Sequence, residues 1–182
     1  MNPFVSLHDA RRLLLDGGVL AYPTEAVYGL GCDPFNQQAV ERILALKQRS
    51  TDKGLIVLIH DWGQLDPLIE GVPKARFTAV QATWPGPTTW VFPKAKIIPY
   101  WLSGAHDTLA IRMSAHPVAR ALCRRAPIVS TSANITGLEP ARDYQTLLTQ
   151  FPEGLDGIVA GELGSSALPS AIIDALSGQR IR

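Results

Sequence analysis

Three clusters of polar side chains in this chain have the types and spacing to hold a small anion. The first is Lys47-Gln48-Arg49, with Lys53 just beyond. A guanidinium offers a planar fork for two oxygens and a lysine a mobile point charge, the combination that neutralises phosphate. The same cations would equally complete the negative end of a helix dipole. The second cluster is Ser130-Thr131-Ser132-Ala133-Asn134. After a strand, its hydroxyls, amide and backbone N–H groups can form a nest for phosphate oxygens, although by composition it is also an ordinary polar turn. The third is Arg112 inside Leu109-Ala110-Ile111-Arg112-Met113. An arginine in that apolar alternation is drawn toward burial and needs an anionic partner, either an internal carboxylate such as Glu25 or the carboxylate of a ligand.

A fourth stretch ties these together. Pro23-Thr24-Glu25-Ala26-Val27-Tyr28-Gly29-Leu30-Gly31 follows the apolar run Val19 to Tyr22, which reads as a strand. Proline then stops the ladder, a hydroxyl and a carboxylate follow, and two glycines let the backbone turn. A loop at a strand exit, with a basic helix end downstream, points to a pocket for a small anionic ligand.

Several other chemistries lack their motifs. There is no G-x-x-x-x-G-K-[ST] run, and Gly29-Leu30-Gly31 lacks the third glycine of a dinucleotide fingerprint. No H-E-x-x-H occurs, and His8, His60, His106 and His116 share no ligand-like spacing, so each reads as a solvated or capping residue. Cys32 and Cys123 have no metal-binding spacing and read as two buried, reduced thiols.

Composition sets the frame. With 182 residues, 46% hydrophobic and 18% charged, the chain reads as one soluble globular domain over 1–182. The net charge of +1 predicts no strong attraction to nucleic acid or membrane, although a local basic patch is compatible with it. No apolar run approaches the ~20 residues of a membrane span, and Met1 to Asp16 has no signal-peptide order, which places the protein in the cytoplasm.

The elements that must position the clusters alternate between helix and strand. Ser6 and Asp9 open a helix carrying Leu7, Ala10, Leu13 and Leu14, which ends at Gly17-Gly18. Asn36 caps a second helix with Val40, Ile43 and Leu44 inside, closing on Lys47 to Arg49. Leu55–Ile59 reads as a strand covered on both faces. Helical stretches follow near Trp62–Ile69 and Pro73–Thr83, then strands at Thr88–Phe92 and Thr108–Met113. Pro117 starts a helix reaching Arg125, Ile128–Ser130 is a strand, and Asp143–Phe151 a helix. The last strands are Gly157–Ala160, Ala171–Asp174 and Gln179–Arg182. The pattern predicts an α/β fold: a single-domain twisted mixed β-sheet flanked by helices.

Taken in order, these motifs resemble the YrdC/Sua5 family over nearly the whole chain. The resemblance rests on Pro23–Gly31, Lys47-x-Arg49, Lys53-Gly54-Leu55, Trp84-Pro85-Gly86-Pro87-Thr88-Thr89, Leu109–Arg112, His116-Pro117, Ser130–Asn134 and Ser170–Asp174. It implies an open-sheet fold with a positively charged concavity. It also implies a nucleotidyltransferase that makes threonylcarbamoyl-AMP and pyrophosphate from L-threonine, bicarbonate (or CO2) and ATP, for the t6A modification of tRNA position 37.

By the same resemblance, Thr24, Arg112, Ser130 and Ser170 hold L-threonine, Arg112 through the carboxylate. Lys47, Arg49, Lys53, Thr108, Ser132, Asn134, Pro140 and Arg182 contact ATP, with Lys47 and Arg49 as the catalytic pair. The nucleophile comes from the substrate, so no activated serine or cysteine is required, and Mg2+ is expected with ATP, with no dedicated protein cage. Expected partners are the downstream tRNA t6A transferase machinery and, at modest strength, tRNA or RNA itself. Two positions depart from the family pattern: Ser50 stands where proline is common, and Lys53 where longer members carry asparagine. One alternative is a sugar-phosphate enzyme such as dihydroxybutanone-phosphate synthase, which would want an acidic cluster this chain lacks. The other is an RNA-binding or ribosome-assembly protein using the basic concavity, with strongly salt-dependent affinity.

Overall fold

The computed structural model describes residues 3–166 and 169–182, so the domain expected over 1–182 includes four residues outside that description. The chain opens with β1 (Phe4–Val5) and α1 (Leu7–Leu15), whose first turn is capped by Ser6 Oγ accepting from the Asp9 N–H at 3.1 Å. β2 (Leu20–Pro23) and β3 (Tyr28–Gly31) form an antiparallel hairpin. The expected long loop from Pro23 to Gly31 is therefore only a turn over residues 24–27.

Proline does not stop this ladder, because Pro23 faces Tyr28 on a rung that needs no N–H from it. The Tyr28 N–H goes to Ala141 O, and its carbonyl accepts from Ala133 N–H, both at 2.8 Å. Gly31 serves close approach rather than turning. A Cβ there would lie 2.5 Å from Val129 O and 2.8 Å from the Tyr22 ring.

α2 (Gln37–Leu46) begins at Asn36, whose Oδ1 accepts from the Ala39 N–H at 3.1 Å, and buries Ala39, Val40, Ile43 and Leu44. β4 (Ile56–Leu58) follows a 3-10 turn, Thr51–Lys53, that Ser50 caps. The helix expected near Trp62–Ile69 is two 3-10 turns, Trp62–Gln64 and Asp66–Leu68. Gly63 weakens the first, and Pro67 removes the donor that would join them. Pro73–Thr83 resolves into a 3-10 turn, Lys74–Arg76, and α3 (Phe77–Gln81). β5 (Thr88–Pro93), α4 (Tyr100–Ser103), β6 (Thr108–Arg112), α5 (Pro117–Leu122), β7 (Ile128–Ser132), α6 (Tyr144–Gln150), β8 (Gly157–Val159) and β9 (Ala171–Asp174) complete the described elements. Gln179–Arg182 is not a regular strand: after the turn at Asp174 it folds back antiparallel along β9 with one bridge, Ile173 to Arg180, and with the Asp174 and Ile181 N–H groups donating to Gln179 O at 2.9 Å and Ile172 O at 2.7 Å.

Among the described residues nine strands lie in the order β1-β8-β2-β3-β7-β4-β6-β5-β9. β1, β8 and β2 are mutually parallel, as are β4 with β6 and β5 with β9, while the other neighbours are antiparallel. This is the expected mixed sheet. Side chains alternate between its faces. One face carries Ala21, Leu30, Val57, Leu109, Ile111 and Val129 into the main core, against Val40 and Ile43 of α2. On the other face Leu20, Tyr22, Leu58 and Ile128 pack under α1 and α5 with Ala10, Leu14, Ala119 and Leu122.

Cys32 and Cys123 are buried and unpaired, and burial drives both thiols up, Cys123 to about 12. Among the described residues no helix is long and apolar enough to cross a membrane.

Candidate active site

The helices α1 and α5 cover only part of the second sheet face. The remainder floors a cavity of about 760 Å³. Alternation along the strands selects its lining: Ile56 of β4, Thr108, Ala110 and Arg112 of β6, Ser130 and Ser132 of β7, and Ile172 of β9. Register agrees, since Ile56 pairs with both Ala110 and Ser130, and Val91, also lining, pairs with Ala110. Leu55–Ile59 is thus not covered on both faces, because Ile56 looks into this space.

Eleven of the residues singled out from the sequence line the one cavity: Thr24, Arg49, Lys53, Thr108, Arg112, Ser130, Ser132, Asn134, Pro140, Ser170 and Arg182. They come from segments spread along the chain from Thr24 to Arg182, and the strand order brings them together. Lys47 is the exception. It is buried and does not line the cavity.

At one end Thr24, Arg112 and Ser170 converge. Thr24 Oγ1 donates to Val27 O at 2.7 Å, which fixes the hairpin turn. Arg112 is nearly buried and donates from Nη2 to Glu25 Oε2 at 3.2 Å. Of the two anionic partners open to it, the internal carboxylate is the one it meets. Burial alone would raise the Glu25 carboxyl, but Arg112, the Ser114 hydroxyl and the Ala115 N–H together hold it below the usual carboxylate range. Ser170 Oγ lies 2.9 Å from Thr89 Oγ1, and the Ser170 carbonyl accepts from Arg182 Nη2 at 3.1 Å.

The other end is built where α2 stops. The N–H groups of Gln48 and Arg49 bond the carbonyls of Ala45 and Leu44 at 3.0 and 2.9 Å, the paired return of a Schellman motif. Its left-handed residue is Gln48, with φ 48°, not a glycine. That turn sends Lys47 inward and Arg49 to the cavity. The Lys47 ammonium donates to the Ser132 carbonyl, to Asn134 O at 2.9 Å and to Asn134 Oδ1 at 3.3 Å. The Lys47 carbonyl in turn accepts the N–H and hydroxyl of Thr136, both at 2.8 Å. Lys47 therefore clamps the Ser132–Asn134 turn from behind, where the expectation was a phosphate contact or a solvated helix end. Burial, and secondarily the charge of Arg49, pushes its pKa down to about 8.

Arg49 is held by the carbonyl of Gly54 at 3.0 Å, with Nε buried and unpartnered. Ser132 Oγ donates to Asn134 Oδ1 at 2.6 Å, and Asn134 Nδ2 donates to Ile135 O and Leu138 O at 3.0 and 2.9 Å. The turn is thus preformed.

Arg49, Lys53, Arg112, Arg142 and Arg182 line the cavity against the carboxylates Glu25 and Glu139, in a chain whose net charge is +1. Positive charge is concentrated here. Arg142, Glu139 and His106 carried no recognisable spacing, and only the neighbouring Pro140 hinted at the first two. His106 had read as a solvated histidine, and it is exposed on this rim. His116, expected to be solvated or capping, is buried and caps nothing through its side chain; its Nε2 lies 3.0 Å from Glu162 O. Among the described residues no cavity serine hydrogen-bonds a histidine or a carboxylate, so no activated hydroxyl is set up. The arrangement can bind anions, orient them and stabilise developing charge.

The Sua5/yciO/yrdC family model, described as "Telomere recombination", matches residues 12–182. A threonylcarbamoyl-AMP synthase of Methylococcus capsulatus (strain ATCC 33009 / NCIMB 11132 / Bath) is 52% identical over 175 residues, 95% of this chain and 94% of the relative. One from Coxiella burnetii (strain RSA 493 / Nine Mile phase I) is 48% identical over 179 residues, 97% of this chain and 96% of the relative. Among solved structures, P. abyssi Sua5 complexed with L-threonine superposes with a TM-score of 0.89 at 32% identity. That match covers 96% of this chain and 54% of the matched one, so the chain spans about half the length of that protein.

Proposed function

The chain belongs to the Sua5/yciO/yrdC family, and from that premise we propose that it is a threonylcarbamoyl-AMP synthase acting in the cytoplasm. Its substrates are L-threonine, bicarbonate or CO2, and ATP. The observation that carries the reading is the convergence of Arg112 with Arg49, Ser132 and Asn134 on a single cavity, large enough for an amino acid beside a nucleotide.

The reaction needs no protein nucleophile. The threonine amine forms a C–N bond to CO2 and loses a proton, giving a carbamate. A carbamate oxygen then attacks the α-phosphorus of ATP, and the bond from that phosphorus to pyrophosphate breaks. What the chain supplies is placement and charge. Thr24, Arg112, Ser130 and Ser170 form the amino-acid end. Arg49, Lys53, Thr108, Ser132, Asn134 and Pro140 form the nucleotide end, with Lys47 acting through the turn it holds, and Arg182, which holds the Ser170 carbonyl at 3.1 Å, contacts the nucleotide from beside the amino-acid end. Mg2+ is expected to come with ATP and would offset the negative charge of the triphosphate. The product is a mixed anhydride prone to hydrolysis, which suits prompt use by the tRNA t6A transferase machinery.

The test is incubation of pure protein with ATP, bicarbonate and labelled L-threonine. The expected result is a labelled adenylate that forms only when all three are present, with one pyrophosphate released per product. Pyrophosphate release without labelled adenylate would contradict the proposal.

A further inference from the structure

Glu25 sits in the β2–β3 turn, and its carboxylate joins that turn to the exit of β6. Oε1 accepts from Ser114 Oγ at 2.8 Å and from the Ala115 N–H at 3.0 Å. Oε2 accepts from Arg112 Nη2 at 3.2 Å. The two side chains are only 11% and 12% exposed, and both border the cavity. The backbone beneath is fastened as well, with Thr24 O accepting from the Gly164 N–H at 2.9 Å and Glu25 O from the Ser166 N–H at 3.0 Å. A Cβ at Gly164 would lie 2.7 Å from Glu25 Cα, so that approach depends on glycine.

Among the described residues, the bond to Glu25 is the one hydrogen bond the Arg112 side chain makes, so most of its fork has no protein acceptor. A free arginine would have to give up considerable rotamer freedom to bind a carboxylate. One tied at a single donor has already done so.

We infer that Glu25 is a positioning residue for amino-acid binding: it anchors through Oε1 to Ser114 and Ala115 and uses Oε2 to hold the Arg112 guanidinium in place. The inference rests on the proposed function, in which Arg112 receives the threonine carboxylate. Glu25 is a fixed counter-charge here and takes no proton in the reaction.

Glu25→Gln separates the two halves of this role. The amide oxygen still accepts from Ser114 and Ala115, but its NH2 then meets Nη2, donor against donor. Three measurements follow: KM for threonine and for ATP, the rate of phenylglyoxal labelling at Arg112 read by mass spectrometry, and Tm. For E25Q the threonine KM is expected to rise about tenfold with the ATP KM within about twofold, the signature of lost ground-state binding of one substrate. Labelling of Arg112 is expected to accelerate without any substrate present. Ser114→Ala, which loosens the anchor and also removes the hydroxyl that accepts from the His116 N–H at 3.1 Å, is expected to raise the threonine KM about threefold. An unchanged threonine KM and labelling rate in E25Q would overturn the inference. So would a parallel rise in both KM values with a lowered Tm, which a merely structural role predicts. Wild-type protein with no affinity for threonine would sink the proposed function itself, a failure read separately from any variant.

Discussion

The ammonium of Lys47 lies 2.9 Å from the carbonyl oxygen of Asn134, and does so without lining the cavity that Asn134 borders. A cation placed this way acts on the substrate only through the turn it holds. Only the protonated amine can serve all the oxygen acceptors around it, and its pKa is pushed down to about 8. Turnover is therefore expected to fall on the alkaline side with a midpoint near pH 8, chiefly through the ATP terms. Lys47→Met should be slow and lack that limb; pH profiles of kcat/KM for ATP check this.

The same group has the opposite effect on stability. Its folded pKa of about 8 is below the ordinary lysine value of 10.5, so between those pH values the unfolded chain binds more protons. The folded state gains stability from Lys47 as pH rises through that window. Denaturant titrations of wild type and Lys47→Met at pH 8 and pH 10 should show a difference that grows in favour of the wild type.

Arg49 reaches the cavity because Gln48 turns the chain after α2. Arg49→Ala is expected to cut ATP-dependent pyrophosphate release by about tenfold or more, as loss of a preorganised charge usually does. Unchanged release would remove Arg49 from the site.

Arg112→Ala is expected to weaken L-threonine binding by about 10- to 100-fold, the range for a lost charged hydrogen bond, while affinity for a non-hydrolysable ATP analogue is retained. Calorimetry with each ligand decides, and the reverse pattern would exchange the two ends of the cavity.

Much of this was legible in local patterns. Asn36 before Val40, Ile43 and Leu44 marks α2 because capping and periodicity are both local properties. The apolar runs of β4, β6 and β7 read as strands for the same reason. The site motifs were legible as residue types, and their convergence follows from strand order.

What escaped depends on partners distant along the chain. Pro23 reads as a break until Ala133 and Ala141 are known to take the polar groups of Tyr28. The inward direction of Lys47 hangs on a positive φ at Gln48, which no propensity favours. Arg112 needed an anion, yet sequence could not choose between Glu25 and a ligand. Gln179–Arg182 has the composition of a strand and does bond the edge of β9, but it forms only one bridge and stays short of a regular strand.

Gln48 and Gly31 give contrasting stability tests. Gln48→Gly relieves a left-handed residue and is expected to stabilise by about 0.5–1 kcal/mol. Gly31→Ala places a Cβ 2.5 Å from Val129 O and is expected to cost about 1–3 kcal/mol. Thermal melts of both variants check the signs.

On the proposed function, one cavity on the open half of the sheet holds an amino acid and a nucleoside triphosphate together. A crystal structure with L-threonine and a non-hydrolysable ATP analogue tests it most directly. The expected density has the threonine carboxylate on Arg112 and the triphosphate against Arg49 and the Ser132–Asn134 turn. Threonine and nucleotide bound on separate surfaces, or a triphosphate lying away from Arg49 and Asn134, would contradict the account.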